Sequence, residues 1–338
     1  MSKLISIVIP CYQVEAYIDR CIDSLVHQTI GVENLELIFV DDASCDHTWE
    51  HLLEWEKRYP ESIVIIQHEE NKRQGGARNT GLQYASAPYI GFIDSDDWIE
   101  LNMYEKLYQK AQEYETDVVG CYAKRVFGSY EKLSKTGRAD QLFRYESDDD
   151  RREFMINGFF GGVPFKIYKR ELIFNHDLWF PEKMLYEDNY WLEQLKLHVN
   201  SYYLIEEELY HYFVNYNSTI LCKKSESHKD RLKIELMNLE AYRNLGIDQK
   251  YYREIEFKFL RLYYINTLHI MFSRCDDFKL VMLEEMQKTV KNNFSDYKNN
   301  PYLSMLNGIE KVLLQTLEVK FSQELIKQFV KEYNSVLQ

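Results

Sequence analysis

The first 120 residues of this 338-residue chain alternate between short apolar runs and amphipathic segments, and this alternation restricts the fold most. The run from Leu4 to Ile9 is apolar at all but one position, which is typical of a strand covered on both faces. From Val14 to Val26, apolar residues recur three and four positions apart, as along one face of a helix. The pattern predicts a doubly wound, mostly parallel α/β sheet. Four further strands are predicted at Leu35–Val40, Ile63–Gln67, Tyr89–Ile93 and Val118–Tyr122.

The second part of the chain has a different pattern. After residue 122 the periodicity is less regular, and beyond residue 225 apolar residues recur with helical spacing, as in the stripe that contains Ile255 and Phe259. We therefore expect one α/β domain over residues 1–224 and a helical C-terminal appendage over residues 225–338.

The charge balance excludes some classes of partner. The chain has 41 Lys and Arg against 54 Asp and Glu, so its net charge is −13. A protein that grips nucleic acid broadly needs a surplus of basic residues, so that class is excluded. A ligand that carries phosphate is not excluded, because a local basic cluster or a metal ion can supply positive charge.

Because no apolar stretch approaches a membrane span and the first apolar run ends at Pro10 without a cleavage site, we expect a cytoplasmic protein.

Acidic residues follow two of the predicted strands. Asp94, Asp96 and Asp97 place three carboxylates within four residues, an arrangement that is stable only when it is hydrogen-bonded, solvated or neutralised by a cation. Their oxygen atoms suit Mg²⁺ or Mn²⁺. Asp41 and Asp42 end another strand, and the plain alternative in both places is an acidic loop that caps the next helix. Two acidic strand ends in one sheet favour a site for a nucleotide phosphate and a metal ion.

A glycine-rich segment lies between these two acidic strand ends. Gly75 and Gly76 allow close backbone approach, and a helix that begins there offers free N–H groups to an anion. Arg73 and Arg78 are suitable partners for a diphosphate. The alternative is a turn whose arginines form structural ion pairs with the nearby carboxylates.

The order of these motifs resembles the family 2 inverting glycosyltransferases of the GT-A fold, of the type that builds bacterial cell-surface glycans. The resemblance covers about residues 1–220 and contains no motif of the helical C-terminal region. The matching pieces are Val8-Ile9-Pro10 with Tyr12, Val40-Asp41-Asp42, Gly76-Ala77-Arg78-Asn79, Asp94-Ser95-Asp96-Asp97, Glu187-Asp188 with Trp191, and Tyr210-His211-Tyr212 with Ser218 and Thr219.

The resemblance implies an activity. The enzyme would move a sugar from a nucleoside-diphosphate sugar, most of all a UDP-sugar, to a hydroxyl of a cell-surface glycan, a lipid-linked saccharide or a teichoic-type polymer. Mg²⁺ or Mn²⁺ would be the cofactor and would stabilise the departing diphosphate. Residues 1–122 would form the nucleotide-binding half of the domain and residues 123–224 the acceptor-side half.

The resemblance also implies roles for individual residues. Asp188 would be the general base that takes the proton of the acceptor hydroxyl, and Asp96 would be the metal ligand. Asp97, Glu187 and Trp191 would lie on the donor-sugar or acceptor side. The residues implied to bind the nucleotide are Pro10, Tyr12, Asp41, Asp42, Arg73, Arg78, Asp94 and Ser95.

One departure from the family pattern concerns the diphosphate. The family often has an arginine just after its Tyr-x-Tyr element, where this chain has Phe213-Val214. Lys223 and Lys224 are candidates for the missing positive charge, with a solvated basic turn as the alternative.

The residues Lys166, Lys169 and Arg170 are expected to be surface charges beside a strand.

Two competing functions remain open at this point. A nucleotidyltransferase would need its glycine-rich loop directly after the first strand, where this chain has Pro10, Cys11 and Tyr12. A non-enzymatic nucleotide-binding scaffold would not need the intact Asp96 and Asp188. Association with the inner face of the membrane, and self-association through the C-terminal helices, are further hypotheses.

Overall fold

The computed structural model describes residues 2–127, 130–132, 139–159, 161–214 and 223–337. Ser218 and Thr219, the last piece of the motif order, lie outside the described residues. The chain divides into two compact units. The first consists of Met1–Phe154 and Gly158–Asn215, and the second of Met155–Asn157 and Tyr216–Gln338.

The first unit is built on one mixed sheet, which has ten strands within the described residues. Its main path runs β3-β2-β1-β4-β9-β6-β10-β5, while β7 pairs with β6 and β8 with β10. The strands are β1 Ile5–Cys11, β2 Leu35–Asp41, β3 Ile63–Gln67, β4 Tyr89–Phe92, β5 Trp98–Ile99, β6 Val118–Phe127, β7 Tyr130–Lys132, β8 Gln141–Arg144, β9 Lys166–Lys169 and β10 Ser201–Phe213.

The longest strand pairings are parallel. β1 pairs with β2 in parallel from Ile5 opposite Leu35 to Cys11 opposite Asp41, and β6 and β10 also run parallel. β9 is antiparallel to both of its neighbours, β4 and β6. The predicted doubly wound α/β class with a C-terminal helical region is confirmed. The carboxyl ends of β1, β2 and β4 therefore meet at one edge of the sheet, which we call the carboxyl edge.

Helices cover both faces of this sheet. Alternate residues of β1 enter two different core clusters, with Ile7 and Ile9 packed on one face and Val8 on the other. The first cluster includes Cys21 of α1, and the second includes Leu195 of α7. The helices are α1 Ile18–Val26, α2 Thr48–Arg58, α3 Arg73–Tyr84, α4 Met103–Tyr114, α5 Asp148–Asn157, α6 Arg170–Phe174 and α7 Glu187–Lys196.

Lys166, the first residue of β9, does not have the surface position expected from the sequence. Its side chain is fully buried, because β9 lies inside the sheet between β4 and β6. Its Nζ donates to the carbonyl of Gly162 at 2.5 Å and lies 5.7 Å from the centre of the Phe165 ring. Burial lowers the pKa of Lys166 to about 7, and Cys121 opposes this shift.

The second unit is helical, as predicted. A π-helical segment, Leu260–Asn266, joins α9 to α10. The Tyr264 hydroxyl of this segment contacts the Thr316 hydroxyl at 2.8 Å, and the Asn307 side chain caps α12. Every helix that the structure describes, here and in the first unit, is too short or too polar to cross a bilayer. The helices are α8 Lys229–Asn244, α9 Tyr252–Phe259, α10 Thr267–Arg274, α11 Leu280–Asn293, α12 Gly308–Gln315 and α13 Gln323–Leu337.

Candidate active site

Asp41, the last residue of β2, is fully buried at the carboxyl edge. Its Oδ2 accepts a hydrogen bond from Gln67 Nε2 at 3.0 Å. Its Oδ1 is buried and has no hydrogen-bond partner among the residues described. Because an unpaired buried carboxylate oxygen is costly, Asp41 is suited to accept a hydrogen bond from a ligand.

Asp42, the next residue, has a different environment. Its Oδ1 accepts hydrogen bonds from the backbone N–H of Lys72 at 2.8 Å and from Nδ1 of His68 at 2.7 Å. The second ring nitrogen of His68 contacts the Thr80 hydroxyl at 2.9 Å. Through this oxygen, Asp42 holds the loop that leads into α3.

The acidic loop Asp94–Asp97 separates its three carboxylates into distinct environments. Both oxygens of the buried Asp97 are bonded, since Oδ2 accepts from the Tyr210 hydroxyl at 2.6 Å and Oδ1 from the backbone N–H of Phe213 at 2.7 Å. These bonds fasten the loop to β10 and commit both oxygens of Asp97. Asp94 and Asp96 are half-buried at the rim.

Burial and mutual repulsion shape the protonation of this loop. Burial, reinforced by the Asp94 charge, raises the pKa of Asp96 to about 6. Burial also raises the pKa of Asp97 well above its usual range, with the charges of Asp96 and Asp94 adding to the effect. A cation beside Asp96 would reverse this shift, because positive charge favours the ionised carboxyl group.

Helix α3 approaches its neighbours too closely at two positions for any residue but glycine. A Cβ atom at Gly75 would collide with the carbonyl of Pro181 and would lie 3.2 Å from Cγ of Glu187. A Cβ atom at Gly81 would collide with the Val8 side chain on β1. The glycine-rich segment thus brings α3 against both the sheet and the segment before α7.

Arg78 joins the acidic loop to α7. Its Nη1 donates to Glu187 Oε1 at 2.6 Å and its Nη2 to Asp94 Oδ1 at 3.0 Å. Its side chain is only 3% exposed. Burial alone would lower the pKa of Arg78, but the Asp94 and Glu187 charges raise it. The sequence placed Arg78 against the nucleotide, whereas the structure places its guanidinium group inside, between two carboxylates.

Asn79 makes a second connection between α3 and the segment that precedes α7. Its side-chain amide donates to the carbonyl of Phe180 at 2.9 Å, and its Oδ1 accepts from the backbone N–H of the same residue at 2.8 Å.

Asp188 follows Glu187 in the first turn of α7 and is half-buried. One of its oxygens accepts from the backbone N–H of Asn189 at 2.9 Å. Together, Arg78 and Asn79 fix where Asp188 lies.

Glu187 is nearly fully buried beside its charged partners. Burial raises its pKa to about 7, Arg78 lowers the pKa, and Asp188 raises it further. Its carboxylate is committed to Arg78, so Glu187 is a support for Asp188 rather than a group open to a substrate.

The remaining predicted residues fall into exposed and buried groups. Tyr12 is 47% exposed just beyond β1, and Arg73 is exposed at the first position of α3. Pro10 is buried within β1, and Ser95 is buried in the acidic loop. Trp191 lies wholly in the core, where the centre of its ring is 4.8 Å from that of the Phe180 ring. The expected position on the donor-sugar or acceptor side therefore differs from the buried position that the structure gives it.

The carboxylates of the acidic loop offer few free oxygen atoms to a metal ion. No group of three His, Cys, Asp or Glu side chains suited to hold a metal occurs within the described ranges. Arg78 occupies one oxygen of Asp94, and Asp97 is bonded on both oxygens. Of the three carboxylates, that of Asp96 is the one with no side-chain hydrogen bond in the described part of the chain, so it is the one best suited to bind a metal ion. One or two carboxylates suit Mg²⁺ or Mn²⁺ that completes its shell with water and substrate phosphates.

Sequence reasoning missed three residues of this edge. Gln67 and His68 orient Asp41 and Asp42. They could have been found because Gln67 ends β3 and His68 follows it, and the carboxyl end of β3 lies beside that of β2. Arg20 of α1 donates from Nη2 to the carbonyl of Asp96 at 2.9 Å. No sequence signal distinguishes Arg20 from other basic residues on helices.

The carboxyl edge has acidic residues at the ends of β2 and β4, a glycine-rich helix start beside them, and a supported carboxylate on α7. This combination is typical of α/β enzymes that act on nucleotide-activated substrates.

The chain belongs to glycosyl transferase family 2, whose model matches residues 6–175. The uncharacterized glycosyltransferase EpsJ of Bacillus subtilis is 31% identical over 227 residues, which cover 64% of this chain and 63% of EpsJ. The chain thus spans less than two thirds of the length of this relative. The poly(ribitol-phosphate) beta-glucosyltransferase of Bacillus spizizenii is 34% identical over 179 residues, which cover 52% of this chain and 27% of that enzyme.

The fold is also similar to a solved glycosyltransferase structure. S. aureus TarS 1–349 in complex with UDP-GlcNAc matches with a TM-score of 0.65 at 19% identity. The match covers 98% of this chain and 90% of that structure. At this level of identity, the comparison supports the GT-A fold.

Proposed function

We propose that the first unit transfers a sugar from a UDP-sugar to a hydroxyl of a cell-surface glycan, with inversion at the anomeric carbon. The observation that carries this proposal is the Arg78 bridge. It ties Asp94, on the acidic strand end, to Glu187, the neighbour of Asp188, within one buried contact network. Groups suited to a nucleotide and a group suited to a base are therefore held in fixed relation at one edge.

The donor would be recognised at the end of β2. The free Oδ1 of Asp41 can accept a hydrogen bond from a base N–H, and the exposed ring of Tyr12 offers a face for stacking. Arg73 would approach the diphosphate from the start of α3. The TarS complex with UDP-GlcNAc supports uracil as the base.

The leaving diphosphate would be stabilised at the acidic loop. Asp96 would hold Mg²⁺ or Mn²⁺, which when bound supplies positive charge to the phosphate oxygens. Asp94 would face the ribose, and the bonds of Asp97 to Tyr210 and Phe213 keep the loop in place.

Asp188 would act as the general base. As the acceptor oxygen bonds to the anomeric carbon and the bond to the diphosphate breaks, the hydroxyl proton passes to the Asp188 carboxylate. The nearby Arg78 charge and the rigid start of α7 support an ionised, oriented carboxylate at this point. Attack of the acceptor oxygen on the face opposite the leaving diphosphate gives inversion in a single displacement.

The acceptor would be a growing cell-surface polymer, because a poly(ribitol-phosphate) beta-glucosyltransferase is among the relatives. Action at the inner face of the membrane and self-association through the C-terminal helices remain predictions. We also propose residues 1–224 as the transferase domain and 225–338 as a separate helical region.

Nucleotide binding tests the proposal most simply. We expect UDP with Mn²⁺ to raise the melting temperature of the full chain, and EDTA to remove most of this shift. Asp41→Asn should weaken the response to UDP, since an amide presents a donor as well as an acceptor to the base. Asp23→Asn, on the exposed side of α1, is the matched control. No response to UDP or to GDP would refute the proposed donor class.

A further inference from the structure

Arg20 of α1 is held against two aromatic side chains beside the acidic loop. The centre of its guanidinium group lies 3.7 Å from the centre of the Trp98 ring and 5.0 Å from that of the Phe213 ring. Trp98 follows directly after the acidic loop, and Phe213 ends β10. Ring faces attract and orient a cation, so this guanidinium group has a preferred position although the residue is exposed.

The hydrogen bonds of Arg20 leave most of its donors uncommitted. Within the described residues, its one hydrogen bond runs from Nη2 to the backbone carbonyl of Asp96, and it forms no ion pair with a carboxylate. The neighbouring carboxylate of Asp97 already accepts two bonds from β10. An arginine has five N–H donors, so Nε and Nη1 keep theirs for another acceptor.

Arg78 shows what a purely structural arginine looks like in this site. Its guanidinium group is buried and bonded to two carboxylates, whereas that of Arg20 is exposed, stacked and bonded to one carbonyl. A planar cation held by ring faces with free donors matches the geometry of phosphate oxygens. Asp97 is bonded on both oxygens to β10, and the Asp96 carboxylate is proposed to hold the metal ion, so a phosphate is the acceptor left for Arg20.

We propose that Arg20 binds phosphate oxygens of the donor diphosphate, which makes it a specificity-determining residue at the leaving-group side of the site. The inference rests on the proposed function and adds a residue to it. The donor is favoured over a phosphate of the acceptor because the hydrogen bond of Arg20 ends on Asp96, within the loop proposed to hold the donor.

The test compares ligands that differ only in phosphate. Titration calorimetry on the full chain with UDP and with uridine, in Mn²⁺, separates phosphate contacts from base contacts. Arg20→Gln should weaken UDP binding about tenfold and leave uridine binding unchanged, because a charge-assisted hydrogen bond is lost only where phosphate is present. Arg20→Lys should recover part of the loss, since it keeps the charge without the planar fork.

The matched control is Arg58→Gln. Arg58 of α2 also lies over a tryptophan, 4.9 Å from the centre of the Trp55 ring, but within the described residues it makes no hydrogen bond to the acidic loop. Its replacement should change neither affinity.

Three results would overturn the inference. If Arg20→Gln weakens UDP and uridine by the same factor, Arg20 only braces the loop. If the variant binds UDP normally but responds less to a polyol-phosphate acceptor, the phosphate it meets belongs to the acceptor. If the unmodified protein binds neither UDP nor GDP, the proposed function fails and the inference fails with it. This outcome is recognised from the unmodified protein alone, before any variant is compared.

Discussion

Replacing Arg78 by methionine should destabilise the protein strongly. The guanidinium group lies 2.6 Å from Glu187 and 3.0 Å from Asp94, and the Arg78 and Glu187 side chains are almost inaccessible to water. Methionine would fill much of the volume but leave the Glu187 carboxyl group buried without its partner. Removing one member of a buried ion pair costs about 3–5 kcal/mol, so we expect a loss of this size in the free energy of unfolding.

The loss should depend on pH in a defined direction. Burial raises the pKa of Glu187 from its ordinary value of 4.5 to about 7, and Arg78 works against this shift. An acid with a raised pKa stabilises the folded state below its unfolded pKa and loses that contribution as pH rises through its folded pKa. Without Arg78 the pKa of Glu187 should rise further, so the deficit of the variant should widen above pH 7, by at most about 1.4 kcal/mol per pH unit.

Denaturant unfolding at about pH 6 and about pH 8 measures both effects. Tryptophan fluorescence follows unfolding, and one of the five tryptophans, the buried Trp191, lies four positions after Glu187 on α7. The double variant Arg78→Met, Glu187→Gln removes the buried charge and should recover much of the loss. Arg170→Met is a matched control, because Arg170 bonds the carbonyl of Ala85 instead of a carboxylate. A normal unfolding midpoint for Arg78→Met, or no recovery in the double variant, would refute this reasoning.

Three further predictions concern the catalytic groups and one buried amine. Asp188→Asn should leave UDP affinity nearly intact and abolish transfer, since the amide cannot accept the proton; normal turnover would show that the base is another group. Asp96→Ala should weaken UDP binding in Mn²⁺ and have little effect in EDTA, as measured by calorimetry, and equal affinities with metal would contradict its role as ligand. Lys166→Met should raise the free energy of unfolding at neutral pH, because burial lowers the pKa of this lysine from 10.5 to about 7. Between these two pKa values the unfolded chain binds more protons than the folded one, so the free energy of unfolding of the unmodified protein should rise by up to about 1.4 kcal/mol per pH unit from pH 7 upward. The methionine variant should lack this rise. Parallel pH profiles of the two proteins would contradict the prediction.

The parts of the fold that were predicted from sequence depend on local patterns. The sequence predicts β3 at Ile63–Gln67, and the structure has the strand with the same two ends. A short apolar run between polar residues marks both ends of a buried strand, so this prediction needs no long-range information. The strand-end position of Asp41 also follows from local order. Its free oxygen does not, because the partner that occupies the other oxygen is Gln67, on a neighbouring strand.

The parts that could not be predicted are long-range partnerships. Arg78 and Glu187 are separated by 109 positions, and no local pattern indicates which carboxylate an arginine will meet. Lys166 reads as a surface charge because lysine is rarely buried, and only the central place of β9 in the sheet reverses this expectation. Trp191 shares a helix turn with Asp188 yet faces the core, since one face of α7 packs on the sheet.

The most direct test of the central claim is the release of nucleoside diphosphate from a panel of UDP- and GDP-sugars, measured with a polyol-phosphate or lipid-linked acceptor. We predict release from at least one UDP-sugar with Mn²⁺, suppression by EDTA, and loss of release in Asp188→Asn while UDP still binds. Release that persists in Asp188→Asn, or no release from any donor by a protein that is folded and metal-loaded, would contradict the account.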